Sequence, residues 1–346
     1  MGPAYATRPS FTISIVFVRG MLSALRLRGD DLLPWLQRAG IAPGLLHEPA
    51  ARVTAEQYSA LFRALIEGLD DEGLGFFSRP LRRGSQALVM RSVLGARSVG
   101  TALRRLVSGF NLLQDDVVFS LATQGTQAAI RIDVPARYLP DRPFMHEMLL
   151  RVLFSQLNWL VGARLKHLAF ELAMPRPGHA HEFAKLFPGT LRFERPCTAL
   201  VFDAAVLVQP LLHDAASLRL FLERMPQGII VPERKLPGVS ERVRRCLLQG
   251  RPQWRTLEEA AATLHLAVST LQRHLAREGT SFQRLKDELR RDLAIQHLHA
   301  SSTALTALAL ELGFSDSATF QRAFKTWTGS PPGAYRLRFG PGVRRS

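Results

Sequence analysis

Apolar positions in the last hundred residues recur at helical intervals, and they do so twice. Leu257, Ala260, Ala261 and Leu264 fall three and four residues apart, the spacing of one buried helix face. After a short break comes Leu271-Gln272-Arg273-His274-Leu275. Further on, Leu308, Ala309 and Leu312 repeat the first face, and Phe320-Gln321-Arg322-Ala323-Phe324 repeats the second. The two pentapeptides share one pattern (apolar, Gln, Arg, any, apolar) and begin 49 residues apart. A helix, a tight turn and a second helix make the helix-turn-helix layout. A tandem pair is a far stronger signal than one copy, because a lone copy is often only a helical hairpin.

Local chemistry agrees with the spacing. Thr256 with Glu259 is a capping box, the hydroxyl taking one orphan N–H while the carboxylate reaches back to another. In the first unit Leu271 and Leu275 point inward, which turns Ser269, Gln272 and Arg273 outward. In the second, Gly313 supplies a left-handed turn residue, and Ser315 or Asp316 can cap the next helix. Phe320 and Phe324 then anchor that helix and leave Ser317, Thr319, Gln321 and Arg322 for the exposed side. These are the residue types that hydrogen-bond base edges in a major groove. Phe282, Leu285, Leu289, Leu293 and Leu298 predict one long connecting helix over residues 281–300.

Upstream the pattern is mixed. An apolar stretch, 11–28, reads as ordered structure rather than a signal peptide, and Asp30-Asp31 can cap a helix over 32–39. Thr54 with Gln57 repeats the capping box ahead of Tyr58, Leu61, Phe62, Leu65 and Leu69. A helix is predicted over 99–113, then two strands, 116–121 and 128–134, about a loop at 123–126 and closed by Pro140 to Pro143. A long apolar helix follows over 145–162, a strand over 165–172 and a short helix over 182–187. The segments 191–194 and 199–202 read as a further strand pair, and 239–249 as a helix. Three prolines and two glycines in 225–238 mark a linker, and the tail after Phe339 reads as disordered.

The run from Gly313 through Phe314-Ser315-Asp316-Ser317-Ala318-Thr319-Phe320-Gln321-Arg322-Ala323-Phe324 to Lys325, with Gly329, Pro331, Tyr335 and Arg336 behind it, resembles the signature of AraC/XylS-type transcription regulators. The resemblance covers roughly the last hundred residues. It implies two helix-turn-helix units joined by a long helix, each placing a recognition helix in adjacent major-groove segments of duplex DNA. Carried over, the base-reading candidates are Ser269, Gln272 and Arg273 in the first unit and Ser317, Thr319 and Arg322 in the second; Thr270, Arg277, Arg291, Gln321 and Lys325 complete the DNA-binding candidates. The first unit departs from the pattern twice, with His265 at the turn glycine and Ala267 at the usual Ser cap. A lost cap typically costs about 1 kcal/mol, which makes this unit the less rigid. Residues 15–210 are more loosely similar to the arabinose-binding-like sensory domain of one AraC branch. The matching pieces are 36–41, Gly73-Leu74-Gly75, 95–103, Phe187-Pro188-Gly189, 191–193 and 200–203. That similarity implies effector sensing or dimerisation and names no ligand.

The expected architecture is therefore two domains: an N-terminal α+β sensory and dimerisation domain over 11–224, the linker 225–238, and a C-terminal all-α tandem helix-turn-helix domain over 239–338. The expected partners are promoter DNA, a small-molecule effector of unknown identity, RNA polymerase for an activator, and a second copy through the N-terminal domain.

Composition bears on this in three ways. The formal net charge is +16, and residues from 239 onward hold 17 Lys or Arg against 9 Asp or Glu, a density that suits a polyanion. A solvated basic face is the bland alternative, along with a helical protein-interaction module that lacks DNA specificity. Two cysteines, Cys197 and Cys246, allow no disulfide framework and fit a reducing cytoplasm; a nucleoid-associated location and no membrane partner are expected. No catalytic motif is present, and no cofactor or metal is expected. His179 with His181 and His297 with His299 come nearest to metal spacing, without a neighbouring Cys. Some AraC-like chains are fused to alkyl-transfer repair proteins with a reactive Cys beside His; here Cys197 precedes Thr198 and Ala199, so a remote repair role competes with a structural thiol. Arg131, Arg151 and Arg164 lie near apolar stretches and could meet an acidic effector or pair at the surface.

Overall fold

The computed structural model describes residues 12–134, 142–162, 165, 167–230, 239–300 and 303–339. In chain order the first elements are β1 (Thr12–Ser14), α1 (Ile15–Met21), α2 (Ser23–Leu27), α3 (Leu33–Arg38), a 3-10 turn (Pro43–His47), β2 (Arg52–Thr54) and α4 (Ala55–Leu69). Next come α5 (Ser85–Ser92), α6 (Val99–Leu113), β3 (Val118–Gln124), β4 (Gln127–Asp133), α7 (Arg142–Val161), β5 (Ala169–Glu171), α8 (Ala180–Leu186), β6 (Thr190–Arg192), β7 (Thr198–Asp203) and α9 (Ala215–Ile230). The chain closes with α10 (Val239–Gln249), α11 (Leu257–Thr263), α12 (Val268–Arg277), α13 (Phe282–Ala300), α14 (Leu305–Glu311), α15 (Ser317–Thr328) and α16 (Pro332–Phe339).

Two compact units emerge, and they are not simply the two halves of the chain. The larger unit holds residues 16–39 and 59–235. Its sheet has five strands in the order β3-β4-β7-β5-β6, antiparallel except for β5 beside β6. The β3–β4 hairpin turns on Gly125 and Thr126, with Gly125 at φ 58. The strands predicted at 191–194 and 199–202 both form but do not pair, since β5 lies between them. Helix α7 packs on β7, and its Leu150, Leu157 and Leu160 are buried. Asp71 fixes the loop after α4: its carboxylate accepts the N–H groups of Gly73, Gly75 and Leu81 at 2.7, 2.7 and 2.8 Å. Ahead of α3, Asp31 accepts the Leu33 N–H at 2.9 Å, while Asp30 pairs with Arg28.

Among the described residues, the smaller unit combines 12–15 and 40–58 with 239–300 and 303–339. Strands β1 and β2 pair antiparallel; β2 lies on α13 and the 3-10 turn on α16. The packing cuts across the expected boundaries, because residues 12–15 and 40–58 join the C-terminal helices. The reason is a buried polar knot. The Thr12 hydroxyl donates to Asp292 Oδ1 at 2.5 Å and accepts from Arg52 Nε at 2.7 Å. Arg52 also donates to the Thr12 carbonyl at 2.8 Å, and the Tyr335 hydroxyl donates to the Arg52 carbonyl at 3.3 Å. Thr12, Arg52, Asp292 and Tyr335 are all buried. Helix α9 runs through 230, so residues 225–230 of the expected linker are helical. Residues 231–238, the breaker at 140–141, Arg164 and the tail after 339 lie outside the described residues.

Candidate nucleic-acid interface

Two short helices carry the outward residues. In α12, Leu271 and Leu275 are fully buried, while Ser269, Gln272, Arg273 and Arg277 are exposed and Thr270 is half-buried. In α15, Phe320 and Phe324 are fully buried and meet edge-on at 5.8 Å, with Phe314 and Tyr335 extending the aromatic core at 5.6 and 5.3 Å. Gln321, Arg322 and Lys325 are exposed there, and Ser317 and Thr319 half-buried. Ten of the eleven candidates thus lie on these two helices. Arg291 is the exception. It sits on α13 with its side chain only 14% exposed, and it donates to the Asp292 carboxylate at 3.1 Å. It belongs to the buried knot rather than to either outward face.

The turns into the two helices have the same hydrogen-bond pattern. His265 N–H donates to the Ala262 carbonyl and Leu266 N–H to Ala261; Gly313 N–H donates to Leu310 and Phe314 N–H to Ala309. His265 and Gly313 both take the left-handed conformation, at φ 55 and φ 72. Glycine adopts it freely, whereas a residue with a Cβ is strained by roughly 1–2 kcal/mol. The caps differ as well. Ala267 makes no side-chain cap for α12. Asp316 accepts the Thr319 N–H at 2.7 Å, the Thr319 hydroxyl at 2.8 Å and the Ser315 hydroxyl at 2.9 Å. Those bonds, the Thr319 N–H first, lower the Asp316 carboxyl to about 2.

The second outward face is also wired along its length. Thr319 Oγ1 accepts from the Arg322 guanidinium at 3.1 Å, and Gln321 Nε2 donates to Ser317 Oγ at 3.2 Å. The side chains that would read bases are thus oriented before any ligand arrives, which reduces the ordering cost of binding.

A clamp holds the two helix-turn-helix units together, and no periodicity revealed it. Trp254, just before the α11 cap, donates its indole N–H to the Glu311 carbonyl at 3.1 Å. Arg290 of α13 lies over the rings of Trp254 and Phe314, 5.1 and 4.6 Å from their centroids, and donates to the Gly313 carbonyl at 2.8 Å. Lys286 donates to the carbonyls of Trp254 and Arg255 at 3.2 Å each. A Cβ at Gly313 would come within 2.5 Å of Trp254, so the turn glycine also admits the indole.

The other candidates resolve otherwise. His179 and His181 each lie beside a carboxylate, Glu147 and Glu182, and His297 lies 3.3 Å from Glu311. Burial lowers His299 to about 4, and its ring meets Tyr335 edge-on. Among the described residues no three metal-ligating side chains gather. Cys197 is half-buried and packs on Ala169, Ala199 and Val201; Cys246 is buried. Arg131 is exposed on β4, whereas Arg151 is buried, donates to the Leu186 carbonyl and lies over the Phe187 ring. No helix among the described residues is long and apolar enough to cross a membrane.

Residues 29–211 match the family model of the arabinose-binding domain of AraC transcription regulators, N-terminal part. Residues 260–338 match a helix-turn-helix domain. The chain belongs to the AraC family of transcription regulators. This AraC-family chain is 27% identical to the ornithine utilization regulator of Pseudomonas aeruginosa over 94% of its own length and 96% of that protein. It is 24% identical to the transcriptional regulator VirS of Mycobacterium tuberculosis, over 93% and 95% of the two chains. A C-terminal stretch is 34% identical to a urease operon transcriptional activator of Escherichia coli, over 24% of this chain and 28% of that one. The chain is a helix-turn-helix transcriptional regulator, and its relatives are regulators rather than enzymes.

Proposed function

We propose that both helix-turn-helix units read one duplex site, α12 and α15 entering successive major-groove segments. The observation that supports this most is the repeated turn, which leaves matched polar residues outward over matched apolar anchors. Ser269, Thr270, Gln272 and Arg273 face bases in one segment, and Ser317, Thr319, Gln321 and Arg322 in the other. Arg277 and Lys325, in the last turns of their helices, meet phosphates. Arg291 has no part in this interface.

The larger unit governs that binding in response to a small molecule, which acts through its differential affinity for two states of the protein. A typical coupling of about 1–3 kcal/mol alters DNA affinity roughly 5- to 150-fold. Support comes from the match over 29–211 and from a core of its own. Activation through RNA polymerase and pairing of two copies through this unit complete the reading. One relative is named an activator.

Footprinting tests the proposal. Two protected segments about 34 Å apart are expected, with Arg273→Ala and Arg322→Ala each losing about 1–3 kcal/mol and relaxing preference at one base pair of its own segment. Protection of a single segment refutes the two-unit reading.

A further inference from the structure

The larger unit contains a cavity of about 300 Å³ where α1 and α2 meet the start of α7. That is the small end of the ~300–1,000 Å³ typical of ligand sites, a size suited to a small metabolite. Its charges are divided between elements. Arg19 and Arg26, seven residues apart on α1 and α2, line it from one side of the sequence, and Glu147 lines it from α7. Glu147 is only 6% exposed, and its Oε1 lies 3.2 Å from His179 Nε2. The His179 ring is held edge-on by Phe17 and Phe183, with centroids at 5.7 and 5.4 Å, so the carboxylate sits against a fixed partner. Phe144 adds an apolar wall, and Gly20 makes room for it: a Cβ there would come within 2.4 Å of the Phe144 ring.

Charges of both signs lining one small space select against ligands of a single sign. A plain carboxylate is attracted by the two guanidinium groups and repelled by Glu147. A plain amine is attracted by Glu147 and repelled by Arg19 and Arg26. A molecule carrying both groups matches both, and the planar guanidinium fork suits a carboxylate in particular. We infer that this cavity binds a small amino acid, with its carboxylate on Arg19 and Arg26, its ammonium group on Glu147 and its side chain toward Phe144. This rests on the effector reading above and gives it a place and a ligand class.

The test uses the full-length chain. Thermal unfolding and calorimetric titration against the twenty standard L-amino acids and L-ornithine would find a binder. Its deaminated acid and decarboxylated amine are then titrated in parallel. The inference expects at least one amino acid to bind saturably, with both truncated analogues at least 10-fold weaker. Arg26→Ala, at an exposed position, and Glu147→Gln should each weaken binding at least 10-fold, and Arg26→Ala should leave the ligand-free unfolding temperature unchanged. Three results would overturn it: no amino acid in the set binds, either truncated analogue binds as well as its parent, or Arg26→Ala binds with wild-type affinity. A metabolite of another class that binds Arg26→Ala unchanged and alters a promoter reporter removes the cavity assignment and leaves the sensor reading standing. A reporter indifferent to every metabolite tried removes the sensor reading itself.

Discussion

The Trp254 indole N–H reaches the Glu311 carbonyl at 3.1 Å and so joins the entrance of the first helix-turn-helix to the turn of the second. Because that carbonyl ends α14, the bond also satisfies one of the orphan acceptors of a helix terminus. Trp254→Phe keeps a ring for Arg290 and removes only the donor. A loss of about 1–3 kcal/mol is expected, seen as a lower urea midpoint with an unchanged slope. Trp254→Ala also empties a buried site and should cost about 3–5 kcal/mol. Both variants should weaken a full operator more than a half-site carrying one groove segment, which gel-shift titration on the two duplexes would measure.

The two units differ in cap and turn, and the difference can be engineered. Ala267→Ser should stabilise by about 1 kcal/mol by supplying the cap that α12 lacks, whereas Asp316→Ala should lose about 0.5–2 kcal/mol at α15. Calorimetry would show midpoints moving in opposite directions. A destabilising Ala267→Ser would mean that the start of α12 is set by packing rather than by capping.

Protonation of His299 opposes folding. Burial lowers its imidazole to about 4, against ~6.5 in an unfolded chain. Between those values the unfolded state binds more protons, so this contribution is complete above about pH 6.5 and is lost as pH falls toward 4. The shift is equivalent to about 3 kcal/mol as an upper bound. Urea unfolding of wild type and His299→Leu at a series of pH values isolates it. The stability difference should shift in favour of the variant as pH drops through that window, and parallel curves would refute the assignment.

Cleavage in 231–238 should not release a self-sufficient DNA-binding fragment. The Thr12–Asp292–Arg52 knot keeps residues 12–15 and 40–58 in the smaller unit. After limited trypsin digestion the N- and C-terminal pieces should co-elute on gel filtration and part only in denaturant. Thr12→Val, which removes a buried donor to Asp292, should cost about 1–3 kcal/mol and ease that separation.

The helix-turn-helix pair was legible because its determinants are local. The Thr256–Glu259 box, the Gly313 turn and the Leu and Phe anchors all act within a few residues of one another. Helix α6 was read to its ends for the same reason, with Ser98 accepting the Thr101 N–H at its start. Helix α5 escaped notice because Gly84 precedes it and no side chain caps it. Helix α9 has no counterpart in the sequence reading, where Pro226 and Gly228, which the helix contains, mark a linker. The insertion of β5 between β7 and β6 depends on non-local pairing, to which periodicity is blind. Arg291 pairs with its neighbour Asp292 on α13, which helical spacing alone does not reveal. The Trp254 clamp left no trace at all, since its contacts join residues 23 to 57 positions apart.

The hydrogen bond between Thr12 and Asp292 spans 280 positions and so has a direction in time. A ribosome adding about 5–20 residues per second makes Asp292 about 14–56 s after Thr12. For that interval β1 and β2 exist without the helices that bury them, and they must stay clear of other strand edges. A messenger cut short before α13 therefore yields a chain that can fold its larger unit, yet leaves its earliest strand unclaimed. Only a chain extended through α16 presents α12 and α15 on a completed support, so the tandem helix pair is a late product of translation.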